Sequence, residues 1–414
     1  MPRVAIVHDF LLQMGGAEKV VEVLHEMFPD APIYTSAFDR DAMPARYRDW
    51  DVHTTFLQRL PLKRRTHRAA LLLYPAAFES FDLSNFDLVI SSSSWFAKGV
   101  ITQPHTTHIC YTHTPMRLAW MPSSYMKDER ISMMMRTMMA PGLNYLRSWD
   151  VQASMRVDHY VANSRVVADR IQKFYRRESA VIAPPVETGR FYISPEVDDY
   201  SIMVTRLAPY KRLDLAVSAF TRLGRPLKIV GTGRYMEQLK KIAGPSIEFM
   251  GHVSDDALPT LLARARSYIM PGMEDFGIAP VEANAAGRPV IALGVGGALD
   301  SQIDGVTGVL FGAPTVESLI KAIHRADAID FDPHQIRAHA ETFDHETFKA
   351  RMGDFIARVG TPNRGSYLPA EAAPHPQSAR AGLLRLLPRR SVSSINSEDS
   401  GAAPANGTSG RSKR

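Results

Sequence analysis

Tyr268-Ile269-Met270-Pro271-Gly272-Met273-Glu274-Asp275-Phe276-Gly277-Ile278-Ala279-Pro280-Val281-Glu282-Ala283-Asn284-Ala285-Ala286-Gly287, followed by Val290-Ile291-Ala292-Leu293, reads as strand, loop, short helix and second strand. Pro280 suits a first helical turn, where a missing N–H costs nothing, and Gly287 suits the position just past the helix end. Apolar β-rich runs joined through helices pair in parallel, so this stretch is one unit of a sheet with helices on its faces.

The same alternation extends in both directions. Upstream come a strand from Ser201 to Thr205, a helix from Leu213 to Leu223, a strand from Leu227 to Val230, a helix from Tyr235 to Ile242, a strand from Ile247 to Met250 and a helix from Asp256 to Ala265. Downstream, a helix is expected from Val316 to Ala326 and a last amphipathic one from His345 to Val359, with Phe348, Met352, Phe355 and Ile356 on one side. The N-terminal half repeats the pattern. It opens on Val4 to Val7 and a helix through Val20, Leu24 and Phe28. Strands follow at Val52 to Phe56, Asp87 to Ser91, Thr107 to Thr112, His159 to Ala162 and Ala180 to Ala183, and Ser164 is placed to cap a helix through Ile171 and Phe174. Pro184-Pro185-Val186 forces an extended path between the halves.

The fold class expected is therefore α/β, with two doubly wound Rossmann-like domains facing across a cleft. Residues 1–185 are expected to form the first domain, 186–344 the second, and 345–359 a helix packing back toward the first domain, with 360–414 a disordered basic tail.

Composition sets the bounds. Of 414 residues, 45% are hydrophobic and 22% charged, which excludes a chain disordered throughout and a disulfide scaffold. The net charge of +6 sits mostly in the tail, where from Gly360 onward eight Lys/Arg face three Asp/Glu, leaving the body near neutral. No basic surface for nucleic acid is implied. Cys110 is the only cysteine, the apolar run Val4 to Val7 is too short for a secretory signal, and Ala69 to Phe78 is too short to cross a bilayer. The expected location is cytoplasmic, with peripheral contact at the cytoplasmic face of the inner membrane open. Lys63-Arg64-Arg65-Thr66-His67-Arg68 before Ala69 to Tyr74, and Leu383 to Arg390 in the tail, fit an anionic membrane surface, while a charged helix start and a solvated tail fit them as well.

Ligands of open α/β sheets bind beyond the carboxyl ends of strands, so the residues just after each strand carry the chemistry. After the first strand, Gly15-Gly16 opens a helix whose free N–H groups suit an anion. No third glycine makes it a dinucleotide fingerprint. After the strand at Thr107 to Thr112 comes His113, able to donate to a sugar hydroxyl or to serve as a structural histidine. Arg206 and Lys211 follow the strand at Ser201, two fixed cations able to neutralise a diphosphate without a metal or to pair with neighbouring acids. Glu274 lies in the loop after Met270 and Glu282 in the first helical turn, with the N–H groups of Phe276 and Gly277 between them. Two carboxylates for hydroxyls, separated by amides, match a ligand with hydroxyls at both ends and phosphates in the middle.

Two metal readings are weaker. His105, His108, Cys110 and His113 lie close in sequence, but strand alternation turns His108 and Cys110 away from His113. Asp39-Arg40-Asp41 has no strand context and reads as a surface loop. Methionines 133, 134, 135, 138 and 139 are expected to face a core.

With these residues in order, the sequence resembles the retaining glycosyltransferases of family 4, which have the GT-B fold. The likeness rests on Gly15-Gly16, the His113 segment, Val161-Ala162-Asn163-Ser164, Arg206 with Lys211, Gly231-Thr232-Gly233, and the pair Glu274 and Glu282 eight residues apart, and it spans Arg3 to Val359. The resemblance implies that Glu274 contacts the donor sugar, Glu282 the nucleotide ribose, Arg206 and Lys211 the diphosphate, Gly16 the diphosphate from the opposite domain, and that His113 lies beside the transferred sugar. It implies no metal and no cofactor beyond the donor. The His113 segment and the Glu274 to Glu282 stretch are similar to members that use GDP-mannose. The expected activity is hexose transfer with retention, mannose from GDP-mannose being favoured, to a saccharide or lipid-linked saccharide acceptor in polysaccharide or glycolipid assembly. A nucleotide-sugar epimerase or hydrolase, and a non-catalytic sugar-nucleotide-binding protein, are the alternatives.

Overall fold

A computed structural model of the chain describes residues 2–60, 67–122 and 133–360. The run Lys63 to Thr66 and the tail beyond Gly360, including Leu383 to Arg390, lie outside the described residues.

The N-terminal half builds a seven-stranded, all-parallel sheet from β1 (Val4–His8), β2 (Ile33–Thr35), β3 (Val52–Thr54), β4 (Leu88–Ser93), β5 (Thr107–Thr112), β6 (His159–Ala162) and β7 (Ser179–Val181), in the order β3-β2-β1-β4-β5-β6-β7. The C-terminal half builds a six-stranded parallel sheet from β8 (Ser201–Val204), β9 (Leu227–Val230), β10 (Ile247–Gly251), β11 (Ser267–Met270), β12 (Val290–Leu293) and β13 (Gly308–Phe311), in the order β10-β9-β8-β11-β12-β13. Strands buried on both faces carry continuous apolar runs: all five residues of β1 and all four of β12 are buried. Each half is thus doubly wound, as the alternation of elements predicts.

Four helices shape the crevice or tie the two halves together: α1 (Gly16–Met27), α2 (Arg165–Tyr175), α3 (Ile278–Ala285) and α4 (His345–Val359). Ser164 caps α2, its side chain accepting from the Val167 amide. Helix α4 leaves the second half and buries Phe348, Met352 and Phe355 among Val20, Val21, Ile90 and Ile109 of the first. The chain therefore crosses between the halves twice, and the crossings lie side by side, the Val186 amide donating to the Phe343 carbonyl at 2.8 Å.

One expectation fails. Met134 and Met138, in the helix Met133–Met155, are exposed. The inward stripe of that helix is Leu143, Leu146, Trp149 and Ala153, spaced three and four apart, and among the methionines whose side chains are described Met139 packs beside it. A run of consecutive methionines covers every face of a helix, so the run cannot name its buried side. No helix among the described residues is long and apolar enough to cross a membrane.

Candidate functional site

In the first sheet β1 lies beside β4, and in the second β8 lies beside β11. The order reverses at these points, so the loops that follow each pair diverge and leave a crevice at the strands' carboxyl ends. The loops after β8 and β11 carry Arg206, Lys211 and Glu274. The loops after β1, β4 and β5 carry Gly15, Ser94 and His113.

On the second half, Lys211 ends a short 3-10 turn, Pro209–Lys211, and its ammonium is ion-paired with the Glu274 carboxylate. Burial works against that charge, but Glu274 and then Tyr210 outweigh it, and the Lys211 pKa is raised. The two loops touch closely: a Cβ at Gly272 would lie 2.6 Å from the Lys211 carbonyl oxygen. Gly277 sits at φ +95° at the entry to α3, a backbone geometry few other residues adopt. Phe276 anchors the loop, its ring buried edge-on against Phe343. The N–H groups of Phe276 and Gly277 donate to no backbone carbonyl of the described residues. Glu282 is buried and lies in the second turn of α3, one turn later than its sequence placement, because the helix starts at Ile278. Arg206 is exposed and donates from Nη2 to the Tyr210 hydroxyl at 3.2 Å.

The first half supplies the facing wall. Gly15 caps α1 in an extended conformation, and a Cβ at Gly16 would lie 2.9 Å from Cδ1 of Ile278. Glycine there lets the N-termini of α1 and α3 meet across the crevice, with the free amides of both helix starts in the same region. Lys19, on α1, reaches across to Glu282 at 2.7 Å. Arg117 and Arg170 converge on Asp275, Arg170 Nη1 donating to Oδ1 at 2.5 Å and to Thr114 Oγ1 at 3.0 Å. The Tyr210 ring lies near two cations, 5.6 Å from the Arg117 guanidinium and 5.2 Å from the Lys211 ammonium.

His113 hangs from the end of β5, with Nε2 2.8 Å from Ser92 Oγ. Burial, followed by the charge on His8, pushes its pKa down to about 3 against the opposing pull of Asp275, so it is a neutral imidazole at ordinary pH. Among the described residues it makes no hydrogen bond to Glu274, Lys211 or Arg206. Behind it, the buried Asp9 carboxylate accepts four backbone amides, Ser94 at 2.6 Å, Trp95 at 2.9 Å, Phe96 at 2.7 Å and Ala97 at 2.8 Å, which fixes the turn after β4.

The structure therefore places Lys211 with Glu274, Glu282 with Lys19, and Gly16 against α3. It leaves Arg206 at the rim. Sequence reasoning singled out none of Lys19, Arg117, Arg170, Asp275 and Tyr210. Lys19 and Arg170 lie within helices, where a cation is solvated by default, and only the fold shows that they cross the crevice. His108 is bonded to Ser91 at 2.8 Å, and Asp39 accepts the Asp41 and Ala42 amides of its own exposed turn.

Residues 190–341 match the family described as glycosyl transferases group 1, and residues 14–190 match Glycosyltransferase Family 4. The chain carries a glycosyltransferase family 4 domain followed by a glycosyl transferases group 1 domain. A relative from Mycolicibacterium smegmatis, a GDP-mannose-dependent alpha-(1-6)-phosphatidylinositol monomannoside mannosyltransferase, is 29% identical over 192 residues, 39% of this chain and 50% of the relative. The chain spans half or less of the length of the first curated relatives that it matches. Among solved structures, Anabaena HepE in complex with UDP and glucose aligns with TM-score 0.62 at 16% identity, over 86% of this chain and 100% of that one. Sucrose-phosphate synthase from Thermosynechococcus elongatus aligns with TM-score 0.65 at 17% identity, over 87% and 99%. At that identity the likeness establishes the fold alone, GT-B.

Proposed function

We propose that the chain transfers a hexose, with retention of configuration, from a nucleotide diphosphate sugar to a hydroxyl of a saccharide or lipid-linked saccharide. The observation that carries this reading is the crevice between two switch points, where the Lys211–Glu274 pair and the Lys19–Glu282 pair lie with the N-termini of α1 and α3. In this reading Glu274 takes the sugar hydroxyls and Glu282 the ribose hydroxyls. Lys211, Arg206 and the amides at Gly16, Phe276 and Gly277 take the diphosphate.

Breaking the bond between the anomeric carbon and the diphosphate builds positive charge on the ring and negative charge on the departing oxygens. Cations and amides held in place before the reaction stabilise that charge by several kcal/mol, since little reorganisation is needed when it forms. Fixed side-chain charges thus take the role a divalent ion has elsewhere. Mannose from GDP-mannose is the favoured donor, supported by the sequence of the His113 and Glu274 segments and by the name of the mycobacterial relative.

The test is a panel of nucleotide sugars with mass spectrometry of the products, run beside Glu274→Ala. Acceptor-dependent hexose transfer, lost in the variant, is expected. Free sugar or an altered nucleotide sugar formed without acceptor would replace transfer by hydrolysis or epimerisation. A variant with full transfer activity would remove Glu274 from the site.

Lys19 gives a second expectation. Its ammonium holds the carboxylate that ribose must engage, so Lys19→Ala should tighten binding of a nucleoside diphosphate about two- to fivefold, matching about 0.4–1 kcal/mol for a partly exposed ion pair. Calorimetric titration reads the change. Weaker binding would instead make Lys19 a phosphate ligand.

A further inference from the structure

A chain of three polar side chains, Glu18, His8 and Ser92, runs behind His113. His8 Nε2 lies 3.4 Å from Glu18 Oε1, and His8 Nδ1 lies 3.1 Å from the Ser92 carbonyl oxygen and 3.2 Å from Ser92 Oγ. Ser92 Oγ in turn lies 2.8 Å from His113 Nε2. Glu18, His8 and Ser92 are all buried.

The proton positions follow from what each group can accept. A carbonyl oxygen only accepts, so His8 Nδ1 carries a hydrogen and cannot receive one from Ser92. The Ser92 hydroxyl proton then has one acceptor left in the chain, Nε2 of His113. With His113 neutral, its single ring proton sits on Nδ1, which makes no hydrogen bond among the described residues. On the other side of His8, the Glu18 carboxylate favours a hydrogen on Nε2. Burial alone would discharge this ring, but the hydrogen bond and charge of Glu18, the charge of Asp9 and the Ser92 carbonyl outweigh it, and the His8 pKa is raised. Positive charge on His8, behind Ser92, would oppose protonation of His113.

We propose that Glu18, His8 and Ser92 are positioning residues that hold His113 as the Nδ1–H tautomer, so that it presents a hydrogen-bond donor to an oxygen of the donor sugar. The step that uses it rests on the transfer reading above; the tautomer itself does not. A fixed donor of this kind favours a ligand with an accepting oxygen at that place and costs no rotation of the ring when the ligand arrives.

The experiment is long-range proton–nitrogen NMR on the full chain labelled with 15N-histidine, His113 being assigned by the signals lost in His113→Gln. In the wild type, Nδ1 should show the shift of a protonated ring nitrogen and Nε2 that of an unprotonated one. In Ser92→Ala the two shifts should move toward each other as the tautomers mix. Ser92→Thr, which keeps the hydroxyl, should restore them. Turnover in Ser92→Ala should show kcat down roughly tenfold, less than the loss of a whole oxyanion donor, with donor KM little changed. A wild-type spectrum with Nε2 protonated, or shifts unmoved in Ser92→Ala, overturns the proposal. Shifts as expected, together with no response of His113 to any nucleotide sugar, would uphold the tautomer and count against the transfer reading instead.

Discussion

Alanine in place of Lys211 is expected to lower kcat/KM for nucleotide-sugar turnover by roughly 10²–10³-fold, the cost of removing one placed donor from a developing oxyanion. Lys211 is the cation best held for this work. Its loop is pinned by the close approach to Gly272, and its ammonium stays charged because Glu274 outweighs the effect of burial. Its loss also leaves Glu274 without the cation that now orients it. Steady-state kinetics at saturating acceptor, with an unchanged thermal midpoint as the folding control, measures the effect. A fall of less than threefold would place the diphosphate elsewhere.

The second large effect is on stability. Asp9→Ala removes an acceptor shared by four backbone amides and takes that partner from the buried Phe96 and Ala97 amides and the half-buried Ser94 and Trp95 amides. Charged acceptors and stranded donors of this sort give a loss of roughly 3–5 kcal/mol. Urea unfolding would show it as a lower midpoint at unchanged slope. A loss below about 1 kcal/mol would mean that the turn after β4 finds other acceptors. Because that turn follows Ser92, which is bonded to His113, the variant links the rigidity of the first sheet to the crevice.

Much of the fold was legible because its signals are local. Thr107–Thr112, His159–Ala162, Leu213–Leu223, Leu227–Val230, Val290–Leu293 and His345–Val359 are bounded in the structure where apolar runs and periodicity end in the sequence. Short elements escaped. Ile33–Thr35 is three residues long, and Gly308–Phe311 is a four-residue strand that itself begins with glycine, so neither run is long enough to show a period. The helix Pro333–Glu341 had a readable start, Asp332 capping it and Pro333 in its first turn, but its apolar stripe is thin, with only Ile336 and Ala340 buried. Strand order was not legible at all. The adjacency of β1 to β4 and of β8 to β11 is what turns scattered post-strand residues into one crevice.

The candidate site divides along the same line. Glu274 and Lys211 stand in loops after strands, where a charged residue has no secondary-structure role to explain it. Asp275 stands beside Glu274, yet its partners Arg117 and Arg170 come from the other half of the chain. His8 and Ser92 fall just past the strands expected at Val4 to Val7 and Asp87 to Ser91; in the structure they lie within β1 and β4, and their contact depends on those two strands being neighbours.

Every role proposed for the crevice requires a pyrophosphate gripped by fixed cations and amides. Calorimetric titration of GDP, UDP and their sugar conjugates in excess EDTA, against the wild type and an Arg206→Ala/Lys211→Ala double variant, measures that grip. Saturable binding of at least one nucleotide by the wild type under chelation, lost in the double variant, is the expected result. Binding that appears only on adding a divalent ion, or a double variant that binds as tightly as the wild type, would contradict it.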